Sequence, residues 1–131
     1  MRLLLDTHIW LWGVFETERL SAGLTRVLSD SRNERWLSPL SILEFYNLVA
    51  KRRIAIEKEF GVWVSESIAI AGFHEATLTY QVALEAARFP LPHGDPIDRL
   101  LVASARAYEL TLVTADRNLI AAGAVDTLAN R

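Results

Sequence analysis

Two short apolar runs, each closed by an aspartate, constrain this chain more than any other feature in it. Leu3-Leu4-Leu5 leads directly into Asp6, and Thr111-Leu112-Val113 is followed, just past its end, by Asp116. A short continuous apolar run without polar alternation reads as a strand covered on both faces. Strands of that kind belong to parallel sheets with helices on both sides, and ligands of such sheets collect at the carboxyl edge. An acid placed directly after each strand therefore lands at one common edge.

The rest of the chain fills in the alternation of strand and helix. Arg2–Leu5 is the first strand, and Ile9–Trp12 continues into a short helix. Leu20 to Asp30 is amphipathic, with Leu20, Leu24, Val27 and Leu28 on one face and Ser21 as its N-cap. Arg35–Leu37 is a short strand. Ser38-Pro39 starts the next helix, whose apolar face of Leu40, Leu43, Leu48 and Val49 runs to about Arg53. A helix over Phe60–Ala71, a strand within Phe73–Thr77 and a helix over Tyr80–Arg88 follow. Phe89-Pro90-Leu91-Pro92-His93-Gly94 reads as a loop, and Asp95-Pro96 opens another helix. After the strand ending near Asp116 come a short helix through Leu119 and Ile120 and a last strand near Val125.

Composition narrows the function. The 131 residues are 51% hydrophobic and 23% charged, which excludes a disordered or extended charged module. No apolar run has the length of a membrane span, and the opening apolar stretch meets Asp6 too early for a secretory signal. With no cysteine there is no disulfide framework and no thiolate metal site, so a cytoplasmic protein is expected. The formal charge of -2 argues against a nucleic-acid partner only if every acid counts as surface. Setting four of the 16 acids aside for a metal site leaves 12 against 14 Lys and Arg. Twelve of those 14 are Arg, whose forked guanidinium suits phosphate.

The acids fall into two groups. Asp6 and Asp116 follow strands; Asp98 and Glu44 lie on helices. Asp95 before Pro96 is a good N-cap, which leaves Asp98 in the first turn, where the helix dipole favours a charged carboxylate. A capping relation between Asp95 and Asp98 is the purely structural alternative. For Glu44 the rival is a capping box with Ser41, but a helix starting at Pro39 leaves Glu44 without a capping role. Two acids after strands and two on neighbouring helices form an all-oxygen donor set, the chemistry of Mg²⁺ or Mn²⁺. Zinc does not fit, because His8, His74 and His93 are scattered and read as surface or loop residues.

Four segments carry a family resemblance: Leu4-Leu5-Asp6-Thr7-His8, Ser38-Pro39-Leu40-Ser41-Ile42-Leu43-Glu44, Asp95-Pro96-Ile97-Asp98-Arg99-Leu100-Leu101-Val102-Ala103 and Leu112-Val113-Thr114-Ala115-Asp116. Together, in order and spacing, they resemble the PIN domain, and closely the VapC toxins of bacterial toxin–antitoxin pairs. The resemblance implies one PIN domain over residues 1–131, an α/β fold built as a three-layer α/β/α sandwich around a parallel sheet of about five strands. It implies an Mg²⁺- or Mn²⁺-dependent endoribonuclease that leaves 5′-phosphate and 3′-hydroxyl ends. Its metal-binding and catalytic acids match Asp6, Glu44, Asp98 and Asp116, and Thr114 matches a hydroxyl near the fourth. His8 stands where many members carry Asn or Ser. An RNA substrate, a VapB-like antitoxin and a homodimer are implied as partners. A PIN-fold RNA-processing nuclease, or a catalytically silent PIN protein that binds RNA or a partner, is the alternative.

Other readings fail on particular residues. A phosphoacceptor receiver domain needs a lysine after a late strand, and the only lysines are Lys51 and Lys58. An Asp-x-Asp phosphatase is excluded by His8, and dinucleotide binding by the lack of glycine after the first strand. Arg99 is a candidate phosphate contact, with pairing to Asp95 or Glu44 as the structural alternative. Lys51-Arg52-Arg53 is expected either to complement a helix dipole or to hold RNA. The four tryptophans are expected in the core, with some left for a dimer face or an antitoxin groove.

Overall fold

The computed structural model describes residues 1–91 and 95–131. In chain order the elements are β1 (Arg2–Leu5), α1 (Thr7–Phe15), a 3₁₀ turn (Thr17–Arg19), α2 (Ala22–Ser29), β2 (Glu34–Leu37), α3 (Pro39–Ala50), α4 (Phe60–Ala71), β3 (His74–Glu75), α5 (Tyr80–Ala86), α6 (Pro96–Ala107), β4 (Thr111–Thr114), α7 (Arg117–Ala122) and β5 (Thr127–Ala129). All strand pairs are parallel, in the order β3-β2-β1-β4-β5. The central strand is β1, with Leu4 opposite Trp36 on one side and Leu112 on the other.

Both faces of the sheet are covered, which is why β1 carries no polar alternation. Leu3, Leu5 and Val113 point to one face, into a core with Ile9, Trp10, Leu24, Phe45 and Val64 of α1 to α4. Leu4 and Leu112 point to the other, where Val82, Leu101, Val102 and Leu119 of α5, α6 and α7 meet them. The expected three layers and parallel sheet are therefore observed. Among the described residues no helix is long and apolar enough to cross a membrane.

Chain entry into the helices follows the expected caps. Ser21 Oγ accepts from Leu24 N, Ser38 Oγ from Leu40 N, and Asp95 Oδ1 from Ile97 N. Pro39 and Pro96 occupy first helical positions, where a missing N–H costs nothing.

Some boundaries differ from the sequence expectation. α3 stops at Ala50 rather than near Arg53, because Arg52 adopts φ 58° and closes a Schellman-type turn. Arg52 N then donates to Val49 O, and Arg53 N to Leu48 O. Leu43 does not belong to the apolar face: it is 61% exposed, whereas Ser41 and Phe45 are buried. It lies two residues from each, on the opposite side of the helix. The last strand begins at Thr127; Ala124 and Val125 pack on the core before it as part of the connection. In the expected loop, Phe89 and Leu91 are buried, while Pro92, His93 and Gly94 lie outside the described residues.

Candidate functional site

The chain begins in β1, builds β2 and β3 outward on one side, then returns to place β4 and β5 on the other. The connections after β1 and β4 thus diverge to opposite faces, leaving a crevice at the carboxyl ends of these two strands. Asp6 and Asp116 flank it as the N-caps of α1 and α7. Both caps use Oδ1: Asp6 accepts from His8 N at 3.2 Å, and Asp116 from Asn118 N at 2.8 Å and Leu119 N at 3.3 Å. These capping bonds hold both acids at the crevice.

Glu44 and Asp98 complete the walls. With Asp6, His8, Trp12, Asp95, Ala115 and Asp116 they line a cleft of about 430 Å³. Five acids and no lysine or arginine line it among the described residues. Asp98 is half-buried in the first turn of α6. Its carboxyl is pushed up from 3.8 to about 6, first by burial and then by the charges of Asp95, Asp6, Asp116 and Glu44. Loss of water and crowding by like charge both disfavour ionisation. A cation in the cleft would relieve the crowding.

Three hydroxyls hold the acids in place. Thr114, fully buried at the end of β4, donates from Oγ1 to Asp6 Oδ2 at 2.7 Å and accepts from Asp116 N at 3.0 Å. On the opposite wall, Thr7 Oγ1 lies 2.6 Å from Glu44 Oε1 and 2.8 Å from Ser41 Oγ. Thr7 has one proton for two contacts; given to the Glu44 carboxyl oxygen, it leaves Thr7 to receive that of Ser41. Ser41 therefore serves Thr7 rather than a capping box. Thr7 and Ser41 escaped sequence reasoning; the signal that could have found them is a hydroxyl beside each candidate acid, at one residue from Asp6 and one helical turn before Glu44.

Among the described residues Arg99 does not line the cleft, and its guanidinium is not paired with Asp95 or Glu44. Its guanidinium donates to Ala86 O, Phe89 O and Leu91 O and lies over the Phe89 ring, so it fastens the end of α5 and the residues after it to α6. Lys51, Arg52 and Arg53 are exposed beyond the end of α3. His8 is exposed, as expected of a surface residue, but stands at the cleft with Nδ1 3.9 Å from Asp6 Oδ1. His74 is exposed on β3. Trp10 is core; Trp63 packs against it and Phe45. Trp36 stacks with His74 on the far side of the sheet, and Trp12 belongs to the cleft wall.

An anionic, all-oxygen donor set suits a hard cation. Among the described residues no three carboxylates or imidazoles are gathered tightly enough to make a closed ligand cage. Mg²⁺ does not require one, since it keeps several waters and takes one or two carboxylates directly.

Comparison with known proteins extends this picture. The PIN domain profile matches residues 3–125. Ribonuclease VapC22 of Mycobacterium tuberculosis is 31% identical over 120 residues, covering 89% of this chain and 88% of that protein. Among solved structures, VapBC2 from Rickettsia felis bound to a DNA fragment from their promoter superposes with a TM-score of 0.70, at 15% identity and 98% coverage of both chains. FitAcB from Neisseria gonorrhoeae gives 0.63 at 20% identity, over 98% of this chain and 97% of that one. At these identities the structural likeness speaks for the fold.

Proposed function

The chain belongs to the PIN domain family, and from that premise we propose that it is a divalent-metal-dependent endoribonuclease, the toxin of a bacterial toxin–antitoxin pair. The observation that carries this reading is the convergence of Asp6, Glu44, Asp98 and Asp116, from four separate segments, on one cleft at the crevice between β1 and β4. The ribonuclease named VapC22 supports RNA as substrate, and the VapBC assemblies among the solved structures support a VapB-like antitoxin as partner. A homodimer is part of the same proposal.

Asp6 and Asp98 are the principal ligands for Mg²⁺ or Mn²⁺, with Glu44 and Asp116 binding the ion or orienting the attacking water. Such an ion supplies acidification of that water and neutralisation of charge on the phosphate. Thr114 holds Asp6, and Thr7 holds Glu44, so that neither carboxylate must be reoriented when RNA arrives. The products carry 5′-phosphate and 3′-hydroxyl ends.

The test is cleavage of structured RNA by purified protein with Mg²⁺ or Mn²⁺ and with EDTA. Asp6→Asn and Asp98→Asn are expected to abolish cutting while the fold persists; Asp95→Asn keeps most of it, since Asn caps a helix nearly as well. Wild-type rates in EDTA, or in either of the first two variants, would refute the assignment. Growth arrest on expression, relieved by a co-expressed antitoxin, separates a toxin from an RNA-processing nuclease.

A further inference from the structure

The acidic cleft shares wall residues with two further hollows. His8 and Trp12 form one of its walls and also line an adjoining hollow of about 440 Å³ that reaches Arg19 and Arg53. On the other side, Ala115 is shared with a hollow of about 420 Å³ bearing Arg117 and Arg131. Acids line the cleft itself, and each neighbour carries two arginines, in one case beside the apolar Leu11, Phe15, Leu48, Ile54 and Ala55. Glu16 also lines the hollow that reaches Arg19 and Arg53 and lies 3.5 Å from Arg19, so the two offset each other and Arg53 is the cation left to that hollow.

A nucleic-acid strand fits this alternation. Its phosphates need cations along the path and, at the acids, a bound divalent ion. Trp12 occupies the junction. It is half-buried in α1, its ring centroid 5.9 Å from that of His8 one helical turn earlier, and the Arg19 guanidinium lies 5.0 Å from its centre. The guanidinium covers one face of the indole and the imidazole is tilted beside it, so the aromatic surface left to a base, next to the candidate reaction centre, is on the other face.

We infer that Trp12 is a stacking platform for one unpaired base of the RNA next to the cleavage site, and that the strand runs from Arg53 across the acids to Arg117. This rests on the ribonuclease reading and deepens it: the substrate must be single-stranded where it crosses Trp12. A duplex cannot present a free base face there.

Binding rather than cutting tests it, so that failure here is distinguishable from failure of the nuclease assignment. The probe is a fluorescein-labelled decauridylate titrated with full-length Asp98→Asn protein in Mg²⁺. In that background Trp12→Leu, which keeps apolar packing but no ring, is expected to weaken binding about tenfold, while Trp12→Phe stays within about threefold. A decamer of abasic nucleotides should bind the Trp12→Leu protein and its parent equally. Arg53→Gln and Arg117→Gln should each reduce the slope of log affinity against log salt by about 0.7. Equal affinity of the Trp12→Leu protein and its parent for decauridylate, or a loss that persists on the abasic decamer, overturns the platform. Unchanged salt slopes in both arginine variants overturn the strand path and leave these hollows as a groove for a protein.

Discussion

Thr114 Oγ1 donates to Asp6 Oδ2 at 2.7 Å, joining residues 108 positions apart at the ends of two adjacent strands. The same oxygen accepts from Asp116 N. One buried hydroxyl thereby sets the orientation of one candidate ligand and the backbone position of another. Thr114→Val keeps the shape but leaves Asp116 N without its partner, so a loss of about 1–2 kcal/mol is expected by denaturant titration. Activity should fall by more than the unfolded fraction explains. Unchanged stability and rate would show that the bond is incidental.

Asp98 makes stability depend on pH in a stated direction. Its folded carboxyl titrates near 6 and its unfolded one near 3.8, so between these values the folded state binds more protons and stability rises as pH falls. Above about pH 6 the full penalty is present. A rise from 3.8 to about 6 is worth about 3 kcal/mol at face value, which screening in an open cleft cuts to roughly 1 kcal/mol. Metal-free Asp98→Asn should therefore melt higher than metal-free wild type at pH 7.5, with the gap closing toward pH 4. Mg²⁺ or Mn²⁺ should raise the wild-type melting temperature and raise that of Asp98→Asn less. Thermal melts at matched ionic strength decide it; no metal response together with a destabilised Asp98→Asn would mean that the carboxylates do not share an ion.

For Arg99 the expected defect is in stability rather than in RNA binding. Arg99→Gln withdraws donors from the carbonyls of Ala86, Phe89 and Leu91, and a cost of about 2 kcal/mol is expected in denaturant titration. KM for RNA should move little at temperatures where the variant is folded. A large rise in KM without loss of stability would restore the phosphate contact.

Arg52 carries a left-handed backbone that a glycine adopts without strain. Arg52→Gly is expected to stabilise the protein by roughly 0.5–1 kcal/mol, the relief at φ 58° exceeding glycine's greater loss of chain entropy. A denaturant titration checks the sign. Destabilisation would mean that the Arg52 side chain makes a contact that outweighs the strain.

What the sequence determined by itself was local. Apolar runs placed β1 and β4; Ser21, Ser38 and Asp95 marked helix starts; acids following strands marked the carboxyl edge. These signals act over a few residues and survive whatever the chain later packs against. Tertiary structure alone decided that Thr114 holds Asp6, that Thr7 bonds Glu44 across 37 positions, that Arg99 is spent on three carbonyls, and that Trp12 stands at the cleft. It also exposed Leu43, because the face that α3 buries is set by its neighbours α1 and α4 as well as by its own periodicity. Two acids after strands and two on helices were legible as one donor set, and the family resemblance matched the same four; which contacts hold them was not legible. The physical reason is the strand order β3-β2-β1-β4-β5: hydropathy tells which segments are strands, but contacts across the sheet depend on which strands lie side by side, and that is settled by packing of the whole chain.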